Sequence, residues 1–248
     1  MNERKKPEIR VGCSGWSYEH WKGRFYPEGV PNKEWFAFYA QTFDTVEINN
    51  TFYQLPSEKT FRSWAEQAGT GFIYSVKANR YITHRKKLKD PEQVVERFLT
   101  RARLLGEHLG PILYQLPPRW RCDPQRLEDF LNHLPRDLVH VFEFRDQSWL
   151  NSEVFSMLDE RGASLCVHDM EGLEVPRIAT GSVAYVRFHG TGSKYRGAYP
   201  EQSLRPWAEW LSKEFEGGRD VYAYFNNDEA AHAVEDARKL RKKLIPGT

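Results

Sequence analysis

The feature that most constrains the fold is an alternation of short apolar runs with longer amphipathic segments, repeated along 248 residues. The short runs are rich in Val, Ile, Phe and Tyr and are bounded by Gly, Pro or Asn, a pattern that predicts β-strands. Eight such runs occur, at 9–15, 45–49, 72–78, 111–117, 139–145, 164–169, 184–190 and 221–227.

The longer segments between these runs carry helical patterns, and several of them begin with Ser or Asp at the predicted N-cap. The predicted helices are 32–43, 57–68, 90–109, 123–134, 152–162, 204–215 and 228–244. One connection differs, because the segment between Asp169 and Ala184 is short and contains Pro176. The sixth helix is therefore predicted to be reduced or missing.

Eight strand–helix units in about 250 residues predict an α/β fold, a single TIM-type (β/α)₈ barrel. We expect this one domain to span residues 1–248, with residues 1–8 as a flexible N-terminal tail. A doubly wound open sheet is the main rival, but it gathers its ligand contacts at one switch point. Here nearly every predicted strand ends in polar residues, which favours the barrel.

Charge and cysteine content narrow the partners and the compartment. The net charge is +2 and the pI is 8.3, short of the basic bias that usually accompanies nucleic-acid binding. No apolar run approaches the length of a membrane span, and the charged N-terminus has no apolar core behind it. Cys13, Cys122 and Cys166 are an odd number without a CxxC pair. We expect a cytoplasmic protein without a membrane partner.

The fifth predicted strand contains charged residues in an apolar run, VFEFRDQSW. Glu143 and Arg145 are two positions apart and face the same side of the strand. Glu47 with Asn49 and Arg187 with His189 have the same spacing. Buried charges are costly unless they are paired or functional. We expect a functional pocket at the barrel's C-terminal face, and the alternative is an interior ion-pair network.

Within that pocket, Glu47 and Glu143 are the candidate acid/base pair, and His189 is a candidate proton shuttle. Lys77 is also predicted to be a catalytic residue. It would bind an anionic group, neutralise Glu47 or form a Schiff base, and the last role requires a depressed pKa of its amine. Arg145 and Arg187 would help to hold phosphate or carboxylate. The predicted substrate-binding residues are Ser14, Trp16, Tyr18, Asn49, Tyr53, His84, Gln115, Arg145, Trp149, Asp169, Arg187, Tyr195, Asn226 and Asn227.

Aromatic residues in the connections could either stack on sugars or bases or form a packed hydrophobic lid, and the sequence leaves both open. No cofactor and no metal ligand is predicted, because no HxxxH, HExxH or Cys/His cluster is present. A divalent metal held by His84, His168, His189, Glu47, Glu143 or Asp169 remains a lesser alternative.

Seven motifs in order resemble the YecE-like family, also described as domain of unknown function 72. The motifs are VGCSGWSYEHWKGRFYP, VEINNTFYQLPS, VKANRYITH, LGPILYQLPPRW, EFRDQSW, VRFHG and YFNN. The chain has Gly-Cys-Ser where the family more often has Gly-Thr-Ser. The resemblance implies a TIM-type barrel without an established biochemical role.

Our hypothesis is an enzyme, of hydrolase, lyase or isomerase type, that acts on a small anionic or sugar-like substrate. The first alternative is a nucleic-acid-binding or repair-type protein with an endonuclease IV-like barrel. It would use the basic segment 80–89 and stack bases on Trp16, Trp21 and Trp149. The second alternative is a barrel without catalysis that binds a metabolite or a protein partner.

Overall fold

A computed structural model describes residues 6–192, 195–245 and 247. Eight parallel strands close into a barrel in chain order, and β8 pairs with β1. The strands are β1 (Ile9–Ser14), β2 (Thr45–Ile48), β3 (Ile73–Lys77), β4 (Leu109–Gln115), β5 (His140–Glu143), β6 (Ser164–His168), β7 (Val183–Phe188) and β8 (Asp220–Phe225). The predicted fold class is confirmed, and all eight predicted strands are present.

The α-helices of the described residues lie outside the barrel and in the connections between strands. They are α1 (Trp35–Ala40), α2 (Asn50–Tyr53), α3 (Glu58–Gln67), α4 (Pro91–Ala102), α5 (Pro124–Asn132), α6 (Ser152–Glu160), α7 (Glu201–Glu216) and α8 (His232–Leu244). Short 3₁₀ turns occur at Glu19–Trp21, Asn32–Glu34, Arg103–His108, Gln147–Trp149 and Glu229–Ala231, and a π-helical turn at Tyr81–Arg85.

The connection between β6 and β7 has no helix, as its length and Pro176 predicted. Instead, Thr180 ties the end of this connection to the start of β6, because its hydroxyl donates to the Ala163 carbonyl at 2.9 Å and accepts from Leu165 N at 2.9 Å. The guanidinium of Arg177 lies 4.3 Å from the ring of Trp207 on α7. This segment therefore covers part of the barrel wall without regular structure.

Several helix boundaries differ from the sequence prediction; for example, the helix predicted over 32–43 is α-helical only over Trp35–Ala40. The segment predicted as helix over 90–109 leaves α-geometry after Ala102, and Gly106 adopts a positive φ of 58°. The last helix begins at His232 instead of Asp228, because Ala230 and Ala231 both have left-handed φ values. The seventh begins at Glu201, and Pro206 falls inside it. Backbone conformations of this kind leave little trace in an apolar pattern.

The described part of the predicted N-terminal tail is held against the sheet at its end. Glu8 N donates to Asp220 Oδ1 at 2.7 Å, and Val221 N donates to the Glu8 carbonyl at 2.8 Å. Glu8 is therefore bonded to the end of the sheet and is not part of a flexible tail, which corrects the predicted boundary. Residues 1–5 lie outside the described residues.

Two apolar clusters surround the strands. The larger one fills the space between the barrel and its helices. The smaller one lies inside the barrel and consists of Leu113, Val141, Cys166, Val183, Tyr185, Tyr222 and Tyr224. Its residues share the inward-facing positions of their strands. Towards the C-terminal ends, the same positions are occupied by charged residues, and there the candidate site begins.

Candidate functional site

The floor of the site is an ionic triad that crosses the barrel from β2 to β7 to β5. Arg187 donates from Nη2 and Nε to Glu47 Oε2, at 2.8 and 3.2 Å, and from Nη1 to Glu143 Oε2, at 2.7 Å. Both carboxylates are fully buried and Arg187 is 1% exposed. We call Glu47, Arg187 and Glu143 the floor triad.

Neutral side chains complete the bonding of the floor triad. Ser14 Oγ donates to Glu47 Oε2 at 2.7 Å, and Tyr185 OH donates to Glu47 Oε1 at 2.8 Å. Tyr185 also lies 2.7 Å from Ser75 Oγ. Glu47 thus accepts at both oxygens, and Ser14, predicted to bind substrate, instead supports the floor.

Burial and the neighbouring charges set the charge states of Glu143 and Arg187. Burial alone would raise the pKa of Glu143, but the guanidinium groups of Arg145 and Arg187 outweigh it and hold the pKa well below its usual range. Burial alone would lower the pKa of Arg187, but Glu143 and Glu47 raise it well above the usual value. Glu143 is therefore ionised at neutral pH and is poorly suited to donate a proton.

A second layer lies above the triad and links β5 with the ends of β6 and β7. Arg145 pairs with Glu143 Oε1, contacts the Met170 sulfur, and donates from Nη2 to His189 Nε2 at 2.9 Å. Because arginine has no acceptor, Nε2 of His189 must accept, which places the proton of the neutral ring on Nδ1. Nδ1 lies 3.6 Å from Asp169 Oδ1 and has no hydrogen-bond partner among the described residues.

In this layer the two histidines are uncharged at neutral pH, and the Asp169 carboxylate is engaged in hydrogen bonds. Burial, with Arg187 and Arg145, holds the pKa of His189 well below its usual value. Burial also lowers the pKa of His168 to about 4, and its Nε2 donates to the Phe144 carbonyl at 2.9 Å. Asp169 accepts from His189 N at 2.8 Å and from Tyr199 OH. We infer that Asp169 holds the loop after β6 against the loop after β7.

Lys77 stands apart from these pairs. It ends β3, is 8% exposed, and its Nζ lies 4.3 Å from the centroid of the Phe52 ring. Within the described residues it has no hydrogen bond and no ion pair. Burial, followed by the charge of Arg187, lowers the pKa of Lys77 to about 7, although Glu143 and Glu47 oppose the shift. Its amine is therefore substantially uncharged at neutral pH.

His84 lies on the same side of the mouth, in the π-helical turn that follows β3. Its ring meets the edge of Phe52 at 5.0 Å, and its Nδ1 lies 2.9 Å from Thr83 Oγ1. Burial, then the positive charge of Lys77, lowers the pKa of His84 to about 4. Lys77, Phe52 and His84 form one corner of the mouth, which we call the lysine corner.

Three amide side chains at strand ends also have no hydrogen-bond partner in the part of the chain that the structure describes. Asn49, Gln115 and Asn226 follow or end β2, β4 and β8, each is partly buried, and none makes a side-chain hydrogen bond to another described residue. Oδ1 of Asn49 is shielded from solvent. Asn227 differs, since its Nδ2 donates to Asp236 Oδ2 at 2.9 Å and to the Gly197 carbonyl at 2.8 Å. Asn227 therefore holds α8 through its Nδ2.

The predicted aromatic rim divides into packed and exposed rings. Trp149 is fully buried and stacks on Phe144 at 5.1 Å, and Trp16 packs edge-on against Phe36 at 5.4 Å. Tyr18 OH bonds the Ser14 carbonyl. These three rings belong to the packed lid, one of the two interpretations that the sequence left open. Tyr53, 69% exposed, is open to solvent.

Beside the mouth lies a cavity of about 480 Å³. It is formed by the loops after β1, β7 and β8, and Tyr195 at its edge lies 5.7 Å from the His189 ring. Its lining residues are His20, Arg24, Tyr195, Arg196, Asp228, Glu229 and Ala230. Of these, the sequence indicated only Tyr195, because loop residues have no periodicity that would assign them to a pocket.

Two further properties concern the described residues only. They contain no group of three or more His, Cys, Asp or Glu side chains arranged to hold a metal ion. None of their helices combines the length and the apolar composition that crossing a bilayer requires.

A closed eight-stranded parallel barrel with its polar groups collected at the C-terminal strand ends defines the class of this protein as a TIM-type barrel. A family model described as "Protein of unknown function DUF72" matches residues 10–247. The chain belongs to this family, as its motifs indicated.

The relatives agree with this assignment. UPF0759 protein YunF of Bacillus subtilis is 23% identical over 95% of this chain and 94% of its own length. UPF0759 protein YecE of Escherichia coli K12 is 31% identical over 55% of this chain and 48% of its own. The crystal structure of a DUF72 family protein from Thermotoga maritima MSB8 is 29% identical, with a TM-score of 0.85 over 96% of this chain and 99% of the other.

A more distant structure shares only the fold. D-psicose 3-epimerase from Clostridium cellulolyticum H10, solved with D-tagatose, is 14% identical, covers 95% of each chain and has a TM-score of 0.51. This likeness indicates that the barrel architecture is shared.

Proposed function

We propose that this protein is an enzyme that binds a small sugar-like or anionic substrate at the C-terminal mouth of the barrel. The observation that carries the proposal is Lys77, an amine almost fully buried beside charged residues and yet unpaired among the described residues. An unpaired, desolvated amine with a pKa near neutrality is costly for stability, and such groups concentrate where proteins do chemistry.

The charges of the mouth favour a substrate with little net charge. Lys77, Arg145 and Arg187 are opposed by the carboxylates of Glu47 and Glu143, and Asp169 lies at the edge. When Lys77 is deprotonated, no excess of positive charge remains in this group. A neutral sugar-like or carbonyl compound, or one with a single carboxylate, is therefore a better match than a phosphate dianion.

The roles follow from which groups are unpaired. Lys77 accepts and returns a proton near neutral pH, because its pKa of about 7 matches that task. The amides of Asn49, Gln115 and Asn226 bind substrate hydroxyl or carbonyl groups, since they have no partners in the described protein. The floor triad fixes the local field and holds Arg145 in place. This assigns to Lys77 the acid/base role that the sequence suggested for Glu47 and Glu143.

A panel of ligands tests the proposal. Neutral sugars, hydroxy and keto acids and phosphorylated sugars are added to the protein, and the thermal midpoint is followed. A ligand at about 100 times its dissociation constant stabilises by about 2.7 kcal/mol, and each kcal/mol is worth about 2–4 °C at this size. Lys77→Met should abolish or reduce the shift, whereas the matched Lys59→Met, on the exposed surface of α3, should retain it.

Two outcomes would overturn the proposal or its chemistry. A shift that is identical in the wild type and in Lys77→Met places the binding elsewhere. Binding at the mouth without any turnover supports the barrel that binds but does not catalyse.

The nucleic-acid alternative has less support. Trp21 and Trp149 are fully buried and present no face for base stacking, and the partly exposed Trp16 packs edge-on against Phe36. The basic segment 80–89 remains exposed in part, but Lys86 pairs with Asp90 at 3.0 Å. A midpoint shift caused only by single-stranded DNA, and lost at higher salt, would favour this alternative.

A further inference from the structure

The lysine corner contains an amine nucleophile in addition to a proton acceptor. We propose that Lys77 forms an imine with the carbonyl carbon of an aldehyde or ketone substrate. This inference rests on the proposed function and deepens it, because it names the substrate class and the covalent step.

The surroundings of Lys77 suit this step better than those of other nucleophiles in the barrel. Arg145 and Arg187 are protonated and paired with carboxylates. Cys166 is fully buried, and burial raises the pKa of its thiol well above the usual value. Lys77 ends β3 at the C-terminal face of the barrel, and among the described residues it has no hydrogen-bond or ion-pair partner that a substrate would need to displace.

The reaction balances without an oxidant or a reductant. The amine nitrogen of Lys77 attacks the carbonyl carbon, a C–N bond forms, the carbonyl π electrons move to oxygen, and a proton passes from nitrogen to that oxygen. The hydroxyl of the resulting carbinolamine takes a second proton, the C–O bond breaks, and water leaves. The nitrogen lone pair forms the C=N bond of an iminium, which returns one proton to give the imine. The neutral imidazole of His84, in the same corner, is available to accept and return a proton.

Phe52 contributes in two ways. Its ring lies 4.3 Å from Nζ of Lys77, which stabilises a positive charge on an iminium through the face of the ring. Its apolar surface also excludes water from one side of the C=N bond, which slows hydrolysis of the intermediate. The nearby floor triad supplies Glu143 and Glu47, whose charges oppose the loss of the cation.

Reductive trapping tests the imine directly. The full-length protein is incubated with glycolaldehyde, dihydroxyacetone, pyruvate or glyoxylate and sodium cyanoborohydride, and adducts are mapped by mass spectrometry. We expect one of these probes to give a single adduct at Lys77, with a rate that rises around pH 7. Lys77→Arg should lose this adduct, whereas Lys59→Arg, on the exposed surface of α3, should retain it.

A second measurement does not depend on the choice of carbonyl probe or on a variant. Acetic anhydride in trace amounts acetylates uncharged amines, and the labelling of each lysine is followed from pH 5 to pH 11. At pH 7 an amine with a pKa of about 7 has roughly a 1,000-fold larger neutral fraction than one at 10.4. Even with lower intrinsic nucleophilicity, Lys77 should label about tenfold faster than Lys59.

The outcomes separate this inference from the proposed function. Labelling of Lys77 with a midpoint near pH 10, or adducts no faster at Lys77 than at Lys59, overturns the imine. A ligand that shifts the thermal midpoint through Lys77 but gives no adduct overturns the imine and keeps the proposed function. A trapped adduct at Lys77 whose rate saturates with probe concentration supports both.

Discussion

Replacing Arg187 with Met should destabilise the protein strongly, because it removes the common partner of two buried carboxylates. Arg187 makes three hydrogen bonds, of 2.7 to 3.2 Å, to Glu47 and Glu143, and both acids are fully buried. Breaking a buried ion pair by removing one partner costs about 3–5 kcal/mol. Since two carboxylates lose their partner here, we expect at least the upper part of that range. At about 2–4 °C per kcal/mol, the thermal midpoint should fall by roughly 10–20 °C.

The pH dependence identifies the cause. In the wild type the pKa of Glu143 is depressed in the folded state, so its pairing contributes stability above its unfolded pKa and loses it as pH falls through the folded pKa. In Arg187→Met, burial is no longer opposed by this guanidinium, and the folded pKa of Glu143 rises. The difference in stability between the two proteins should therefore shrink as pH falls from 7 to 4.

Denaturant unfolding across this pH range is the assay. The matched control is Arg205→Met, which removes an exposed arginine whose pairing with Glu209, at 3.9 Å, is loose. A triple variant with Glu47→Gln, Arg187→Met and Glu143→Gln should recover much of the lost stability. A loss below about 1 kcal/mol in Arg187→Met, independent of pH, would refute the structural role of the floor triad.

Three further predictions concern other parts of the structure. The pKa of Lys77 is about 7 in the folded protein and higher in the unfolded chain, so between these two pKa values the unfolded chain binds more protons. The free energy of unfolding of the wild type should therefore rise from pH 7 to pH 10. Denaturant unfolding of Lys77→Met should show a flatter rise. Asp236→Ala should cost about 2–4 kcal/mol of unfolding free energy, since it deprives Asn227 and the Tyr199 N–H of a buried acceptor. Gly12→Ala should lower the thermal midpoint, because the new Cβ would lie 2.4 Å from the Thr45 carbonyl, while Gly29→Ala, with open space, should not.

The fold was predictable from the sequence because each strand of a barrel is buried on both sides and bounded by turn residues. The missing sixth helix was also predictable, since Pro176 and the short connection exclude one. The π-helical turn and the left-handed Ala230 and Ala231 were not, because they change neither the hydrophobic period nor the composition.

For the site, parity along the strands predicted which charged residues meet, namely Glu47, Glu143, Arg145 and Arg187. Parity did not predict which of these residues form ion pairs with one another. Arg187 bonds both acids, while Lys77 has no polar partner among the described residues. This division depends on distances across the barrel interior, which the pattern of one strand does not contain. The bond from Asn227 to Asp236 of α8 is consistent with the same parity rule, because Asn226 takes the inward position and Asn227 faces the helices.

The floor triad also specifies strand register. Residues along a strand alternate sides, so a slip of one residue in β2 would move Glu47 from the interior to the helix-covered face. Glu47 and Arg187 are 140 residues apart, and Glu143 and Arg187 are 44 apart, so the three side chains meet only when distant strands are aligned. A misaligned barrel would bury at least one unpaired charge. The triad thus favours one strand register at barrel closure over registers that are shifted by one residue. Loss of the triad should raise the population of misfolded chains during refolding by more than the lost stability alone predicts.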